Sequence, residues 1–439
     1  MAGNFSKSET DDYSLTRVPR EKRSQMWKIL LIRIGSLTCI SQLMLGAALG
    51  FGLSFWKAFW ATIIGSVILQ FVSFGLGVAG EKEGLSTSVL SRWTGFGRYG
   101  SAIVGGAFAI SLTGWFGIQN SIFAQGIIAI LGKNLSFPLI ACITGVAVTL
   151  IVLFGFRMMS WTANIAVPGF LILIAWATYS MLKSHSFTHL VTMNAPGALT
   201  MSAAITMVTG GFIVGCIITP DITRFAKSTK DVFWITVIGT LLGELGIGLL
   251  GVLMAHAIGS SSIMAIVYQL TGVLGVLLVI FSTLKLNDIN LYSSSLGIAN
   301  FIEAVFHVDV SRGLITIILG ALGTILSMIG VINQFTSFLS LLGVVFPPIA
   351  GIMFIDYFVL RRYRNELDES RKHAALPARM ENFHPVTVIA WAAGVLSGYF
   401  ITFGIPSITS ILISIIVYYA GMKIYAAVKV HNDVEQIHE

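Results

Sequence analysis

The chain has 439 residues, of which 55% are hydrophobic and only 11% are charged, and its formal net charge is +7. Soluble domains carry about 25% charged residues, so this chain has too little polar surface to cover a soluble fold of its length. The composition excludes a soluble enzyme, a nucleic-acid-binding protein and a disordered scaffold. It predicts an all-α polytopic membrane protein in a lipid bilayer.

Apolar runs of about 20 residues, the length that crosses a bilayer, follow a polar and basic N-terminal segment. Residues 1–27 lack an apolar core, which predicts a flexible cytoplasmic tail rather than a signal peptide. The twelve predicted spans are 28–53, 56–80, 100–131, 136–156, 160–182, 199–221, 232–258, 263–301, 314–331, 333–359, 386–404 and 407–428. The run at 263–301 is too long for one straight helix, so its true span is expected near 270–296. Residues 28–428 form the predicted transmembrane domain, and 429–439 a cytoplasmic C-terminal tail.

Basic residues alternate from one side of the predicted membrane to the other. All but four of the 27 lysines and arginines fall in the N-terminal tail and the start of span 1, the C-terminal tail, or loops on that same side. Lys57, Lys133 and Lys183 lie in loops on the other side, and Lys285 lies inside span 8. Cytoplasmic loops are enriched in Lys and Arg, so both termini are predicted to be cytoplasmic, in the inner membrane. Topology thus accounts for the positive charge without a nucleic-acid partner.

Ionisable residues inside spans are costly and often functional, and three occur here. Glu244 lies in span 7, and Lys285 and Asp288 lie one helical turn apart in span 8. Asn287 and Asn290 add amides to span 8, and so much polarity on one helix predicts a wet cavity. Lys285 and Asp288 are either a satisfied pair that orients the helix or a proton or cation relay. A structural role is favoured for Glu244, because no basic neighbour lies within its helix.

Span 3 pairs an indole with a carboxamide. Trp115 and Gln119 are separated by four residues, so both side chains project from one helical face. This arrangement suits a planar polar heterocycle, which would stack on the ring and form hydrogen bonds with the amide. The alternative is an interior tryptophan beside an amide contact between helices.

Spans 1 and 6 contain runs of small residues that weaken a helix. Span 6 has three glycines within Thr209–Gly215, and span 1 has small and polar residues from Gly35 to Gln42. Discontinuous helices at corresponding positions of two inverted repeats are typical of secondary transporters. The predicted repeats are 28–182 and 199–359, followed by two extra helices at 386–428. Close helix packing is the alternative interpretation of the glycines.

No nucleotide-binding or hydrolase motif occurs, and three cysteines without C-x-x-C spacing indicate neither a disulfide nor a metal site. No cofactor is expected. The chain is predicted not to be an enzyme; a membrane-embedded enzyme would have to use Glu244, Asp288 and Lys285.

The chain resembles the nucleobase:cation symporter-1 family, which includes cytosine permeases, the hydantoin transporter and fungal purine–cytosine permeases. The resemblance runs from about residue 28 to residue 430. The segments that carry it are Gly50–Ser54, Gly84–Thr87, Gly114–Gly117, Pro220–Phe225, Asn287–Tyr292 and Pro347–Gly351. It implies the five-plus-five inverted-repeat fold of the leucine transporter with two extra C-terminal helices, here expected as a monomer.

The resemblance also implies a substrate site. The residues that match the family's substrate-binding positions are Trp115, Gln119, Gly211, Phe212, Asn287 and Asn290. The glutamine and serine of cytosine permeases fall at Leu112 and Val214 here. These departures argue against cytosine and leave purines, other pyrimidines and hydantoin-like ureides.

The ion site departs further from the family pattern. Sodium-coupled members use backbone carbonyls on helix 1, here near Gly35 and Thr38, and two hydroxyl residues on helix 8. Those helix-8 positions are Lys285 and Leu286, so an ammonium takes the place of the sodium ion. We therefore expect coupling to H⁺ rather than Na⁺, with Lys285 and Asp288 in the coupling site.

The predicted function is import of a nucleobase or related small heterocycle by alternating access, coupled to protons. The alternatives are a transporter of ureides or vitamin precursors, and a facilitator or exchanger in which Lys285 is structural.

Overall fold

The computed structural model describes residues 13, 16–132, 134–154, 156–195 and 197–438, with backbone alone for 154–167 and 429–438. Most of the predicted N-terminal tail and Lys133 therefore lie outside the described residues. The first helices are α1 (Met26–Leu37), α2 (Ile40–Gly52), α3 (Phe55–Glu83), α4 (Thr87–Leu90), α5 (Gly97–Leu131), α6 (Phe137–Phe154), α7 (Phe156–Ser184), α8 (Phe187–Thr192), α9 (Met201–Ile217) and α10 (Pro220–Thr223).

The later helices are α11 (Thr229–Thr240), α12 (Gly248–Ile258), α13 (Ile263–Phe306), α14 (Arg312–Met328), α15 (Phe335–Val345), α16 (Pro347–Ile355), α17 (Arg364–Lys372), α18 (Pro385–Phe400) and α19 (Pro406–His438). Two π-helical segments, Leu241–Ile247 and Asp356–Leu360, follow α11 and α16. Every regular element in the described ranges is helical, which confirms the all-α prediction.

Within the described residues, seven helical spans are long and apolar enough to cross a membrane, and the bent pair α1–α2 makes an eighth. Three shorter apolar helices, Phe137–Leu153, Arg312–Met328 and Pro385–Phe400, coincide with predicted spans. The remaining predicted span, 160–182, lies in α7, where some side chains are not described. The multi-pass architecture is confirmed, and the number twelve remains a prediction.

Two of the predicted interruptions occur in the structure. Span 1 is broken at Thr38 and Cys39, whose backbone is not helical, and α1 and α2 meet at 52°. The 44-residue helix α13 bends at Gly272, where φ is 65° and ψ is −157°, a conformation that favours glycine. This bend separates the first nine residues of α13 from the span expected near 270–296.

The break predicted in the glycine run of span 6 is absent, because α9 is helical from Met201 to Ile217. A Cβ atom on Gly210 would collide with the carbonyl oxygen of Leu339 on α15, and one on Gly343 of α15 with the carbonyl oxygen of Thr206 on α9. These two glycines therefore allow two backbones to approach closely. Close packing, the alternative interpretation, explains Gly210.

Basic residues near the N-terminus are more buried than a flexible tail predicts. Arg17 is 5% exposed and pairs with the buried carboxylate of Glu83 at 2.9 Å, and Arg371 pairs with the same carboxylate at 2.6 Å. A buried carboxylate needs such partners, so Arg17 anchors its segment to the end of α3. At the other terminus, α19 continues to His438 through the predicted tail.

Candidate functional site

A cavity of about 170 Å³ lies where the break between α1 and α2 faces α5, α9 and α13. Its lining residues are Cys39, Ser41, Gln42, Leu112, Trp115, Gln119, Gly210, Gly211, Phe212, Val214, Gly215, Ile218, Leu286 and Asn290. A cavity of about 150 Å³ accommodates benzene, so this one has room for a single planar ring. Five of the six predicted substrate residues line it; Asn287 does not.

Two aromatic side chains contribute to the wall. Trp115 on α5 is half-buried, and the rings of Phe335 and Phe338 hold it edge to face, at centroid distances of 6.2 and 5.4 Å. Phe212 on α9 packs beneath the guanidinium of Arg33, whose carbon lies 4.8 Å from the ring centroid. Aromatic rings fixed from behind can offer their remaining surface to a flat ligand.

Amide groups supply the polar part of the wall. Gln119 Nε2 donates a hydrogen bond of 2.6 Å to Ser41 Oγ, and this contact joins α5 to α2 just after the break. Gln119 Oε1 is buried without a hydrogen-bond partner among the described residues. Asn290 on α13 is half-buried and lines the same cavity. The cavity therefore offers hydrogen-bonding groups beside its aromatic surface.

Gln42, which the substrate prediction did not include, also lines the cavity. Its Nε2 atom donates a hydrogen bond of 2.8 Å to Oε1 of Glu244 in span 7. Both residues are 2% exposed, and Gln42 Oε1 has no hydrogen-bond partner among the described residues. The sequence feature that could have identified Gln42 is an amide within the run of small residues in span 1. Its hydrogen-bond partner Glu244 lies 202 positions away in the sequence.

The polar residues of α13 separate into different environments. Lys285 is half-buried and does not line the cavity, but it lies within electrostatic range of Cys39 at the break of span 1. Asp288 and Asn287 are buried, at 1% and 0% exposure. No ion pair joins Lys285 to Asp288 in the part of the chain that the structure describes, although each is described. Asn287 has no side-chain hydrogen bond to a described residue.

The two helix-1 positions that the resemblance matches to a sodium site lie at the C-terminal end of α1. Gly35 is within α1, and a Cβ atom there would meet nothing within 4 Å. Thr38 caps the C-terminal end of α1 with φ of −81° and ψ of 79°. Neither residue lines the cavity, whereas the next residue, Cys39, does.

Arg33 is a residue of the site that sequence analysis missed by counting it among cytoplasmic charges. It is 2% exposed, and its guanidinium donates to Gly215 O at 3.1 Å and to Ser73 Oγ at 2.8 Å while it covers Phe212. A buried arginine so bonded fixes the cavity wall on α9 against α1. The available signal was its position inside the apolar run of span 1.

Comparisons with known proteins identify the family and the fold of the chain. A profile of the family described as permeases for cytosine/purines, uracil, thiamine and allantoin matches residues 17–411. The cytosine permease of Escherichia coli K12 is 26% identical over 409 residues, covering 92% of this chain and 93% of that protein. The hydantoin permease of Microbacterium maritypicum is 24% identical over 396 residues, covering 83% of this chain and 78% of that protein.

Solved structures share the fold. The inward-facing conformation of Mhp1 has a TM-score of 0.80 at 19% identity, covering 94% of this chain and 93% of that one. A closed conformation of Mhp1, described as a nucleobase-cation-symport-1 family transporter with bromovinylhydantoin bound, has a TM-score of 0.73 at 19% identity, covering 94% and 96%. The chain therefore belongs to the permease family for cytosine/purines, uracil, thiamine and allantoin, of the nucleobase:cation symporter-1 type, and is a membrane transporter rather than an enzyme.

Proposed function

We propose that this protein imports a small planar nucleobase by alternating access, and that the cavity between α1–α2, α5, α9 and α13 holds it. The observation that carries the proposal is the joint placement of Trp115, Phe212, Gln119 and Asn290 around one cavity. The aromatic surfaces would hold the ring, and the amides would recognise its polar edge. A site whose buried polar groups form hydrogen bonds only with the bound substrate rejects analogues that lack the matching groups.

The size and lining of the cavity support a single-ring substrate. The volume of about 170 Å³ is close to that of a cavity that accepts benzene. Leu112 and Val214 line the cavity at the positions where the resemblance places polar residues of cytosine permeases. Their apolar side chains favour a substrate other than cytosine, such as uracil. A hydantoin-like ureide is the second candidate, because a permease of that name is among the relatives.

We propose further that transport is coupled to protons and independent of sodium. Lys285 stands where sodium-coupled members of the resembling family have a hydroxyl ligand, and an ammonium disfavours a cation at that place. Leu286, the other matching position on this helix, lines the cavity, which supports a cation site close to the substrate. An amine there can take up and release a proton as the transporter changes conformation.

Uptake of radiolabelled uracil, cytosine, hypoxanthine and allantoin into proteoliposomes tests these proposals. We expect uptake of at least one nucleobase, driven by an inward pH gradient and unchanged when choline replaces Na⁺ at constant pH. Trp115→Ala should remove uptake, whereas Trp115→Phe should retain part of it. Lys285→Ala should abolish accumulation against a gradient but retain binding, and Lys183→Ala, an exposed lysine, should behave as the unsubstituted protein.

Other outcomes would contradict specific parts of the proposal. Loss of uptake in choline would show sodium coupling, and normal accumulation by Lys285→Ala would show that this lysine is structural. Chemical modification of the recovered label would contradict transport of the intact nucleobase.

We also propose that the protein acts as a monomer in the inner membrane with both termini cytoplasmic. The distribution of lysines and arginines supports this orientation. Labelling of single cysteines introduced at Lys57 and at Lys372 should give external access at the first position only. Mass photometry in detergent should give one protomer per particle.

A further inference from the structure

Glu244 carries a carboxyl group inside a membrane span, and the proposed transport mechanism does not use this group. It lies in the π-helical segment Leu241–Ile247 between α11 and α12 and is 2% exposed. Isolated π-helical turns inside longer helices occur frequently at functional sites. The free-energy cost of burying a carboxyl group in hydrocarbon is a second reason to expect that it has a function.

Glu244 is connected to the cavity through one side chain. Its Oε1 atom accepts the hydrogen bond from Gln42 Nε2 at 2.8 Å, and Gln42 lines the cavity. Glu244 Oε2 and Gln42 Oε1 are both buried without a hydrogen-bond partner among the described residues. The contact therefore uses one donor of the amide and leaves its carbonyl oxygen without a hydrogen-bond partner among the described residues.

Few titratable groups act on this carboxyl. The groups in electrostatic range are the guanidinium of Arg33 and the thiols of Cys39 and Cys216. On α3 and α11, which pack against the π-helical segment, the charged side chains are confined to the end turns. On α12 the titratable group is His256, which is held by Leu190 O and Leu53 O. Arg33 is thus the charged neighbour within range of Glu244, and it forms no ion pair with it among the described residues.

The protonation state of Glu244 decides which orientations of the Gln42 amide can form a hydrogen bond with it. A carboxylate can only accept hydrogen bonds, so it must face the NH₂ group of Gln42, and the carbonyl oxygen then faces the cavity. A protonated carboxyl has an O–H donor and can bond to Gln42 Oε1, which turns the NH₂ group towards the cavity. The proton comes from water and returns to it, and no bond other than O–H changes.

We propose that Glu244 is a positioning residue whose protonation state selects which end of the Gln42 amide faces the bound nucleobase. This inference rests on the proposed function, because it assumes that a nucleobase occupies the cavity. The substrate then meets a hydrogen-bond acceptor when Glu244 is ionised and a donor when it is protonated. Preference between substrates that differ in one donor or acceptor thereby becomes dependent on pH.

Cytosine and uracil are the probes for this effect, because cytosine has an amino group where uracil has a carbonyl oxygen. Their dissociation constants would be measured on the purified full-length protein at about pH 5.5 and about pH 8.0, where both probes are mainly neutral. Raising the pH should shift the ratio of the two constants towards cytosine by at least about fivefold, the cost of one mispaired hydrogen bond. A ratio cancels pH effects that weaken both probes equally.

Variants separate this mechanism from a structural role. Glu244→Gln and Gln42→Leu should each give a ratio that is constant with pH within about twofold, and either one alone suffices if the other does not fold. Glu244→Asp should restore a pH-dependent ratio. Asp356→Asn is the matched control, because Asp356 is a buried carboxyl in the other π-helical segment, bonded to Tyr418. It should retain the dependence of the unsubstituted protein.

A constant ratio in the unsubstituted protein, or an equal shift in Glu244→Gln, would overturn the inference and leave the proposed function intact. Failure of both probes, together with adenine and hypoxanthine as a second amino–carbonyl pair, to bind at either pH would overturn both.

Discussion

The two sides of the cavity bring polar groups to it by different backbone arrangements. On one side, α1 ends at Leu37 and α2 begins at Ile40, and Cys39 of the non-helical pair between them lines the cavity. On the other side, α9 passes the cavity as an unbroken helix from Met201 to Ile217. We expect the first side to change its angle at the break during transport, and the second side, the fixed wall, to keep its position.

Neighbouring helices explain this difference. Gly210 on α9 is in backbone contact with Leu339 of α15, so a second helix packs directly against the glycine run at this residue. Gly35 on α1 has open space beside its α-carbon, and three residues later the backbone leaves the helical conformation at Thr38 and Cys39. Small residues therefore accompany both a break in a helix and a close contact between two helices. Their presence in the sequence alone does not predict which of the two occurs.

The largest loss of stability is expected from a larger side chain at the contact between α9, the fixed wall, and α15. Gly210→Val places methyl groups where the carbonyl oxygen of Leu339 lies. Overpacking a core costs about 1–3 kcal/mol when side chains can move, and a backbone oxygen moves less, so we expect a loss of at least about 3 kcal/mol. The melting temperature in detergent measures this loss. Gly35→Ala, where the new methyl group meets open space, should change stability by less than about 1 kcal/mol. Equal destabilisation by both substitutions would contradict the contrast between the two sides.

The next effect concerns Arg33, which connects the two sides. Arg33→Met removes the hydrogen bonds to Gly215 O and Ser73 Oγ and the cation above Phe212. Hydrogen bonds to charged groups contribute about 1.5–3 kcal/mol, so we expect stability to fall by about 3 kcal/mol and nucleobase affinity to fall with it. Arg33→Lys should recover part of both. The control is Lys28→Met, an exposed basic residue one and a half turns earlier in α1, and a similar loss there would contradict a specific role for Arg33.

Local patterns in the sequence predicted the architecture, and local patterns together with the family resemblance predicted five of the residues that line the cavity. Run lengths and alternating charge predict spans, and the four-residue spacing of Trp115 and Gln119 places them on one helical face. Contacts between distant spans are not encoded locally. The sequence shows no partner for Glu244 because Gln42 belongs to span 1, and it does not distinguish Arg33 from surface arginines because Ser73 and Gly215 lie on other helices. The break predicted at Gly210 was wrong for the same reason, because its contact with Leu339 joins two distant spans.

The smallest expected effect tests the flexible side of the cavity. Ser41 lies just after the break, and its hydroxyl accepts the hydrogen bond of 2.6 Å from Gln119 Nε2 on α5. In Ser41→Ala the Gln119 amide loses this partner and is free to rotate, so nucleobase affinity should fall by about 1 kcal/mol, or roughly fivefold. The order of preference among nucleobases should also change, because Gln119 Nε2 becomes available to the substrate.

Ser36→Ala is the control, because that hydroxyl is exposed and bonds to Ile32 O within its own helix. Isothermal titration of both variants with uracil and hypoxanthine gives the comparison. Equal affinities for the two variants would mean that the hydrogen bond from the broken side of the cavity does not orient Gln119 for the substrate.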